Sequence, residues 1–209
     1  MAATIGIVGS GAVGRALAAH IVASGQDVVL CNSRGPATLE PVVEELGPQV
    51  SALEISAVAA ADLVVFAIPW PAVVPLLEEL PPWHGRILVD ATAPASHFRQ
   101  PGRYELGGLT TSEVVQASAA GARVVKTFCT LPASVLALPP ANEAGRRVMF
   151  LSGDDEDARA AVGALIDDIG YAAVDLGSLS TGSALQQPDG PLAAGTYDSL
   201  LTVSVNRTV

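Results

Sequence analysis

Three glycines near the start of the chain, Gly9, Gly11 and Gly14, stand in the spacing G-x-G-x-x-G within IGIVGSGAVGRALAAHIVASG. The chemistry that this spacing serves is the holding of a pyrophosphate. Gly9 permits a tight turn, Gly11 lets the backbone come close to the phosphates, and Gly14 lets a helix pack closely on the preceding strand. The first-turn N–H groups of that helix then face the phosphates, aided by the helix dipole. Alone the pattern is weak. Here an apolar strand-like run precedes it, a helical stretch opens inside it, and a second strand-like run follows Gly25-Gln26. That context favours a dinucleotide loop over a glycine-rich turn with no ligand.

The end of the second strand, about 20 residues past the glycines, is where an NAD-selective site carries Asp or Glu for the ribose hydroxyls. This chain has Asn32-Ser33-Arg34 there, although it carries 21 acidic residues against 11 basic ones. A carboxylate would repel the 2′-phosphate of NADP, whereas a serine hydroxyl and a guanidinium bind it through charge-assisted hydrogen bonds. The plainer reading is a solvated turn that leads into a helix with Pro36 at its first position. The missing acid together with Ser33 and Arg34 points to NADP(H).

Other chemistry-bearing types are sparse. Ile68-Pro69-Trp70 ends a strand-like run, a position at the carboxyl edge of a parallel sheet where such folds bind ligands; Trp70 serves core packing equally well. No Ser-His-Asp arrangement stands out. Among the three histidines, His97 in ATAPASHFRQPG is the weak catalytic candidate, lying after a predicted strand; His20 falls in the first helix and His84 in a proline-rich turn. The acidic run Gly153-Asp154-Asp155-Glu156-Asp157 reads as a helix cap with first-turn acids set against the dipole, and no metal site is assigned.

These residues need strands and helices to position them. Apolar runs over 4–8, 27–31, 62–68, 86–90 and 123–128, with a weaker one over 50–53, alternate with helical stretches over 12–24, 36–46, 55–60, 70–80 and 111–120. Continuous apolar runs separated by crossover helices mark parallel strands buried on both faces. The expected fold is α/β, a Rossmann-type doubly wound parallel sheet with a small C-terminal α/β lobe. That lobe is expected as strand 147–152, helix 154–170 and strand 171–176. Prolines 132, 139 and 140 break the pattern, so the NADP-binding domain is drawn over 1–128. The lobe then covers 129–209 and closes the substrate cleft. Half the residues are hydrophobic and the net charge is −10. That excludes a disordered chain and offers no basic surface to nucleic acid or anionic membrane. No apolar run reaches the roughly 18 residues of a spanning helix. Cys31 and Cys129 lie far apart, which fits a reducing compartment. The expectation is a cytoplasmic protein.

Four stretches together resemble one family, the coenzyme F420-dependent NADP oxidoreductases, which move hydride between NADP(H) and a 5-deazaflavin. They are IVGSGAVGRALA with NSRGP, FAIPW at 66–70, VVKTFCTLPA at 124–133, and LSGDDEDARAAVGALIDDIGYAAVDLGSLS at 151–180. The resemblance implies that Ser10, Ala12 and Val13 line the pyrophosphate loop, with Ser33 and Arg34 on the 2′-phosphate. It sets Ile68, Pro69 and Trp70 by the ribose and nicotinamide. It also implies that Cys129, Thr130, Leu131 and Pro132 form the second-substrate pocket, with the Thr130 and Leu131 amides toward the ring system. Cys129 departs from the His or Asn of similar proteins. Coenzyme F420 is then the co-substrate, and Lys126, Arg99 and Arg103 are the cations available to its anionic tail. The resemblance also implies a closing C-terminal helix that helps form a homodimer, and residues 196–209 are short for one. Hydride transfer needs orientation and dryness more than a side-chain nucleophile. Two alternatives stay open. One is an NADPH-dependent reductase with another acceptor (a flavin, a ferric complex, an imine or a carbonyl), for which His97 or Tyr104 would supply a proton. The other is a non-catalytic NADPH-binding redox sensor.

Overall fold

Strand β1 (Ile5–Val8) is buried at all four positions, and its side chains divide between two cores. In the computed structural model, which describes residues 4–93, 106–143, 145–187, 190–193 and 201–202, the same alternation runs through every central strand. Ile5 and Ile7 face one core and Val8 the other. Leu63 and Val65 oppose Val64 and Phe66 in β4 (Leu63–Phe66), and Ile87 and Val89 oppose Leu88 in β5 (Ile87–Asp90). Period-2 side-chain alternation with both faces apolar is what a parallel sheet covered by helices requires.

The remaining central strands are β2 (Val28–Cys31), β3 (Val50–Ala52) and β6 (Arg123–Lys126). The order is β3-β2-β1-β4-β5-β6, all parallel, so the direction of winding reverses between β1 and β4. On one face lie α1 (Ala12–Ala23) and α2 (Glu40–Leu46), the latter entered through a 3₁₀ turn at Pro36–Leu39. On the other lie α3 (Ile55–Val58), α4 (Val73–Glu79) and α5 (Thr111–Ser118). A 3₁₀ turn, Trp70–Ala72, leads into α4.

Beyond β6 come the short helix α6 (Ala133–Leu136), β7 (Ala141–Asn142), the long β8 (Gly145–Gly153), α7 (Glu156–Asp168) and β9 (Ala172–Asp175). A π-helical turn at Leu179–Ser183, helix α8 (Ala184–Gln186) and β10 (Leu201–Thr202) follow. β8 pairs antiparallel with β6 through Val125↔Gly153 and Lys126↔Ser152, and carries β7, β9 and β10 on its length. The sheet is therefore mixed and mostly parallel. The boundary drawn at 128/129 does not fall on a break in it, because Met149, Leu151 and Ile166 share a core with Ile7 and Val65.

Asp155 caps α7, accepting from the Ala158 N–H at 2.7 Å, with Glu156 and Asp157 in the first turn. Asp154 accepts from the Leu179 N–H at 2.9 Å and so ties the π-helical turn to the cap. These carboxylates have the capping work that their spacing suggested. His20 is a packing residue: its Nε2 lies 2.7 Å from the Leu136 carbonyl, which also accepts from the Tyr171 hydroxyl at 3.0 Å.

Candidate functional site

From Val8 the chain turns through Gly9 and enters α1 at Gly11. Gly9 has a φ of +114°, and a Cβ there would lie 2.3 Å from the Ala67 carbonyl oxygen. A Cβ on Gly14 would lie 1.9 Å from the Gly9 carbonyl oxygen, so the helix seats on the turn only because both are glycine. Gly11 differs from both. Nothing lies within 4 Å of its Cβ position, which leaves the backbone open to an incoming group. No side chain caps α1, and its first turn holds no acidic residue. The positive end of the dipole is thus left for an anion to meet.

At the end of β2, Asn32 braces the neighbouring loops. Its amide donates to the Ser10 hydroxyl at 3.3 Å and to Thr38 Oγ1 at 2.9 Å, while its Oδ1 accepts from the Arg34 N–H at 2.9 Å. Ser33 and Arg34 are exposed beside it. A groove of about 410 Å³ runs from these three residues past Gly9 and Ser10 to Ile68 and Pro69.

A second cavity, of about 360 Å³, continues inward. Its walls are Val13 in the first turn of α1, Ile68 beyond β4, Thr92 beyond β5, and Phe128, Cys129 and Pro132 beyond β6. The groove and the cavity share Gly11, Ala67, Ile68 and Pro69, so together they make one cleft across the point where the winding reverses. Ligands of such sheets bind at that crevice. Among the described residues the inner cavity has no charged side chain in its lining. At Ala12 and Ala133 it meets a further hollow of about 470 Å³ between α1, α2 and α6.

Beneath the inner cavity lies a pair that sequence reasoning missed. Asp90 and Lys126 end adjacent strands in register and are 1% and 0% exposed. Lys126 Nζ donates to Asp90 Oδ2 at 3.2 Å and to the Thr92 carbonyl at 2.9 Å. Asp90 Oδ1 accepts from the Thr92 N–H at 3.0 Å and from its hydroxyl at 2.6 Å, and Oδ2 accepts from the Ser112 hydroxyl at 2.7 Å. Burial alone would raise the Asp90 carboxyl, yet the Lys126 ammonium and these donors hold it below the usual carboxylate range. Burial alone would lower Lys126, and Asp90 outweighs it, keeping the ammonium charged. The expectation that Lys126 meets an anionic tail is therefore corrected, since its charge is internal. An Asp closing ILVD and a Lys closing RVVK were the clue, legible once the two strands are known to be neighbours.

Phe128 is the other residue that spacing did not reveal. It is buried with a φ of +59°, a conformation costing a bulky residue of order 1–3 kcal/mol, and such strain collects at functional corners. The turn it makes sets Cys129 in the cavity wall. The Cys129 thiol, 3% exposed, donates to Gln186 Oε1 at 3.9 Å. Burial pushes the thiol up, against the pull of Lys126.

Of the residues marked in the sequence, Gly9, Ser10, Asn32, Ser33 and Arg34 line the outer groove. Ala12, Val13, Cys129, Leu131 and Pro132 line the inner cavity. Gly14 packs behind the loop. Trp70, 7% exposed, and Thr130 are buried and line neither space. His97, Arg99, Arg103 and Tyr104 lie outside the described residues.

Residues 4–94 match the family described as NADP oxidoreductase, coenzyme F420-dependent. A crystal structure of a candidate F420-dependent NADP-reductase from Arthrobacter sp. FB24 is 30% identical, covers 86% of each chain, and superposes with a TM-score of 0.67. This chain belongs to the F420-dependent NADP oxidoreductase family. A hypothetical protein from Sinorhizobium meliloti is 39% identical over 96% of both chains, with a TM-score of 0.87. The metalloreductase STEAP3 of Rattus norvegicus is 29% identical over 180 residues, which are 85% of this chain and 34% of that protein. The chain thus spans about a third of that relative's length. As a family member it is an NADP-dependent oxidoreductase, and the open Gly11 cradle with the uncapped α1 suits the family's nucleotide. Among the described residues no helix is long and apolar enough to cross a membrane.

Proposed function

We propose that this protein transfers hydride between NADPH and the deazaflavin coenzyme F420. The observation that carries the reading is the single cleft with two unlike ends. One end is polar and open at Ser33 and Arg34; the other is apolar, walled by Val13, Ile68, Phe128 and Cys129. Arg34 and Ser33 hold the 2′-phosphate, and the glycine loop with the start of α1 meets the pyrophosphate. The inner cavity takes the nicotinamide and presents its outward face to the second ring. When bound, the dihydronicotinamide supplies the hydride, and solvent supplies the proton that completes the reduced acceptor. The chain's part is to orient two flat rings and keep water from between them. Residues 129 onward close this end of the cleft through Cys129, Leu131 and Pro132.

A second reading is a flavin or ferric acceptor. It is favoured by an inner lining without charge among the described residues, which offers no cation to the anionic tail of F420, and by the likeness to a metalloreductase. One stopped-flow experiment separates the two. Purified protein and NADPH are mixed with F420, with FMN or with ferric citrate, and NADH and an Arg34→Ala variant run alongside. Fast loss of deazaflavin absorbance with NADPH alone supports the first reading. Turnover confined to FMN or ferric citrate selects the second. Tight NADPH binding with no turnover on any of the three leaves an imine or carbonyl acceptor, or a redox sensor.

A further inference from the structure

Thr92 lies in the wall of the inner cavity, and two residues that do not reach the cavity hold it from beneath. Asp90 Oδ1 takes both its N–H and its hydroxyl, and the Lys126 ammonium takes its carbonyl, so every hydrogen-bonding group of Thr92 is used. The flanking Ala91 and Ala93 have little side chain with which to fix the backbone; the Ala91 N–H is held by the Phe66 carbonyl, at 3.2 Å. We propose that Asp90 and Lys126 are a positioning pair for the nicotinamide end of the cleft. They set the height and tilt of the Thr92 segment against which the ring rests, and the adenosine end does not depend on them. This inference rests on the nucleotide reading above.

The argument starts from what a buried ion pair is poor at. An apolar pair of similar volume stabilises a core as well or better, because two desolvated charges only offset their own burial. What charges provide here is direction. Three hydrogen bonds to one residue define an orientation that methyl packing would leave loose. The pair is anchored in turn: its two residues are partners across β5 and β6, and the Ser112 hydroxyl at the start of α5 clamps Asp90 Oδ2 from the side. Ser33 and Arg34 stand at the other end of the cleft, in the turn beyond β2, so the pair reaches one end alone.

The test compares two ligands on the full chain by calorimetry and fluorescence: NADPH, and 2′,5′-ADP, which keeps the adenosine and the 2′-phosphate and lacks the nicotinamide. The double variant Asp90→Leu with Lys126→Met removes all three bonds to Thr92 while leaving an apolar pair. Its NADPH affinity is expected to fall about tenfold and the emission enhancement of bound NADPH to disappear, with 2′,5′-ADP binding unchanged. Hydride delivery to the working acceptor is expected to fall about a hundredfold, as for a ring misplaced by an ångström. Asp90→Asn, which keeps the volume, is expected to give a smaller split of the same sign. An unchanged ratio of the two affinities overturns the inference, as does equal weakening of both ligands, which would mark a general structural role. Failure of both variants to fold also overturns it. If the unaltered protein binds neither ligand, the nucleotide reading itself falls and takes this one with it.

Discussion

In the proposed function Arg34 and Ser33 select a nucleotide by charge at a single atom group, so their removal is expected to read out as a difference between two cofactors. Arg34→Ala loses a charge-assisted hydrogen bond of about 1.5–3 kcal/mol, which weakens NADPH binding by one to two orders of magnitude and leaves NADH untouched. Titration with both nucleotides checks this. Asn32→Ala behaves differently, because Asn32 braces Ser10 and Thr38 as well as the Arg34 N–H. It is expected to weaken NADPH and NADH alike. Cys31 and Cys129 show residue-scale behaviour of another kind. Both are free and buried; burial pushes the Cys31 thiol up to about 11 and raises Cys129 as well. Alkylation needs a thiolate and access, so iodoacetamide at pH 8 should label neither until the chain unfolds. Mass spectrometry of folded and urea-unfolded protein decides it, and rapid labelling of the folded chain would contradict the packing described.

Strands β5 and β6 are joined at their carboxyl ends by the Asp90–Lys126 pair, and that junction has a pH signature. Asp90 lies below its unfolded value of about 3.9, so its contribution is present above that pH and is lost as pH falls through the folded value. Lys126 lies above its unfolded value of about 10.4, so its contribution is present below that pH and is lost as pH rises through the folded value. The urea midpoint should hold a plateau from about pH 4 to 10, falling at both ends. The Asp90→Leu, Lys126→Met double variant should lose part of both falls. At this scale the sequence was most readable. Continuous apolar runs separated by helical stretches, with G-x-G-x-x-G between the first strand and helix, located the central strands, because local patterning follows burial. The Asp90–Lys126 contact was not readable, since it depends on two strands lying side by side across 36 residues of chain. Phe128 was hidden for a different reason: nothing in its residue type announces a positive φ. Trp70 and Thr130 were set at the cleft by the family resemblance, yet both are buried and line neither space, since successive residues along a turn point in different directions.

Across the whole molecule, β8 decides how many parts unfold. It pairs with β6, and Met149, Leu151, Ile166 and Tyr171 share one core with Ile5, Leu17 and Val89. A chain stopped at 128 would leave the β6 edge unpaired and that core open, so residues before and after the proline-rich break are expected to melt together. Trp70 and Trp83 report the first part by fluorescence, and amide exchange along β8 reports the second. Coincident transitions are the expected result; a separate early transition in β8 would show an independent lobe. Ligand linkage sharpens the comparison. NADPH at a hundred times its Kd stabilises the folded state by about 2.7 kcal/mol, roughly 5–10 °C in Tm for a chain of this size. The proposed nucleotide site lies at the β1/β4 reversal, yet in a single cooperative unit the same shift must appear in the β8 amides. NADH at equal concentration should give a much smaller shift by both probes, because it lacks the 2′-phosphate that the proposed site holds with Ser33 and Arg34.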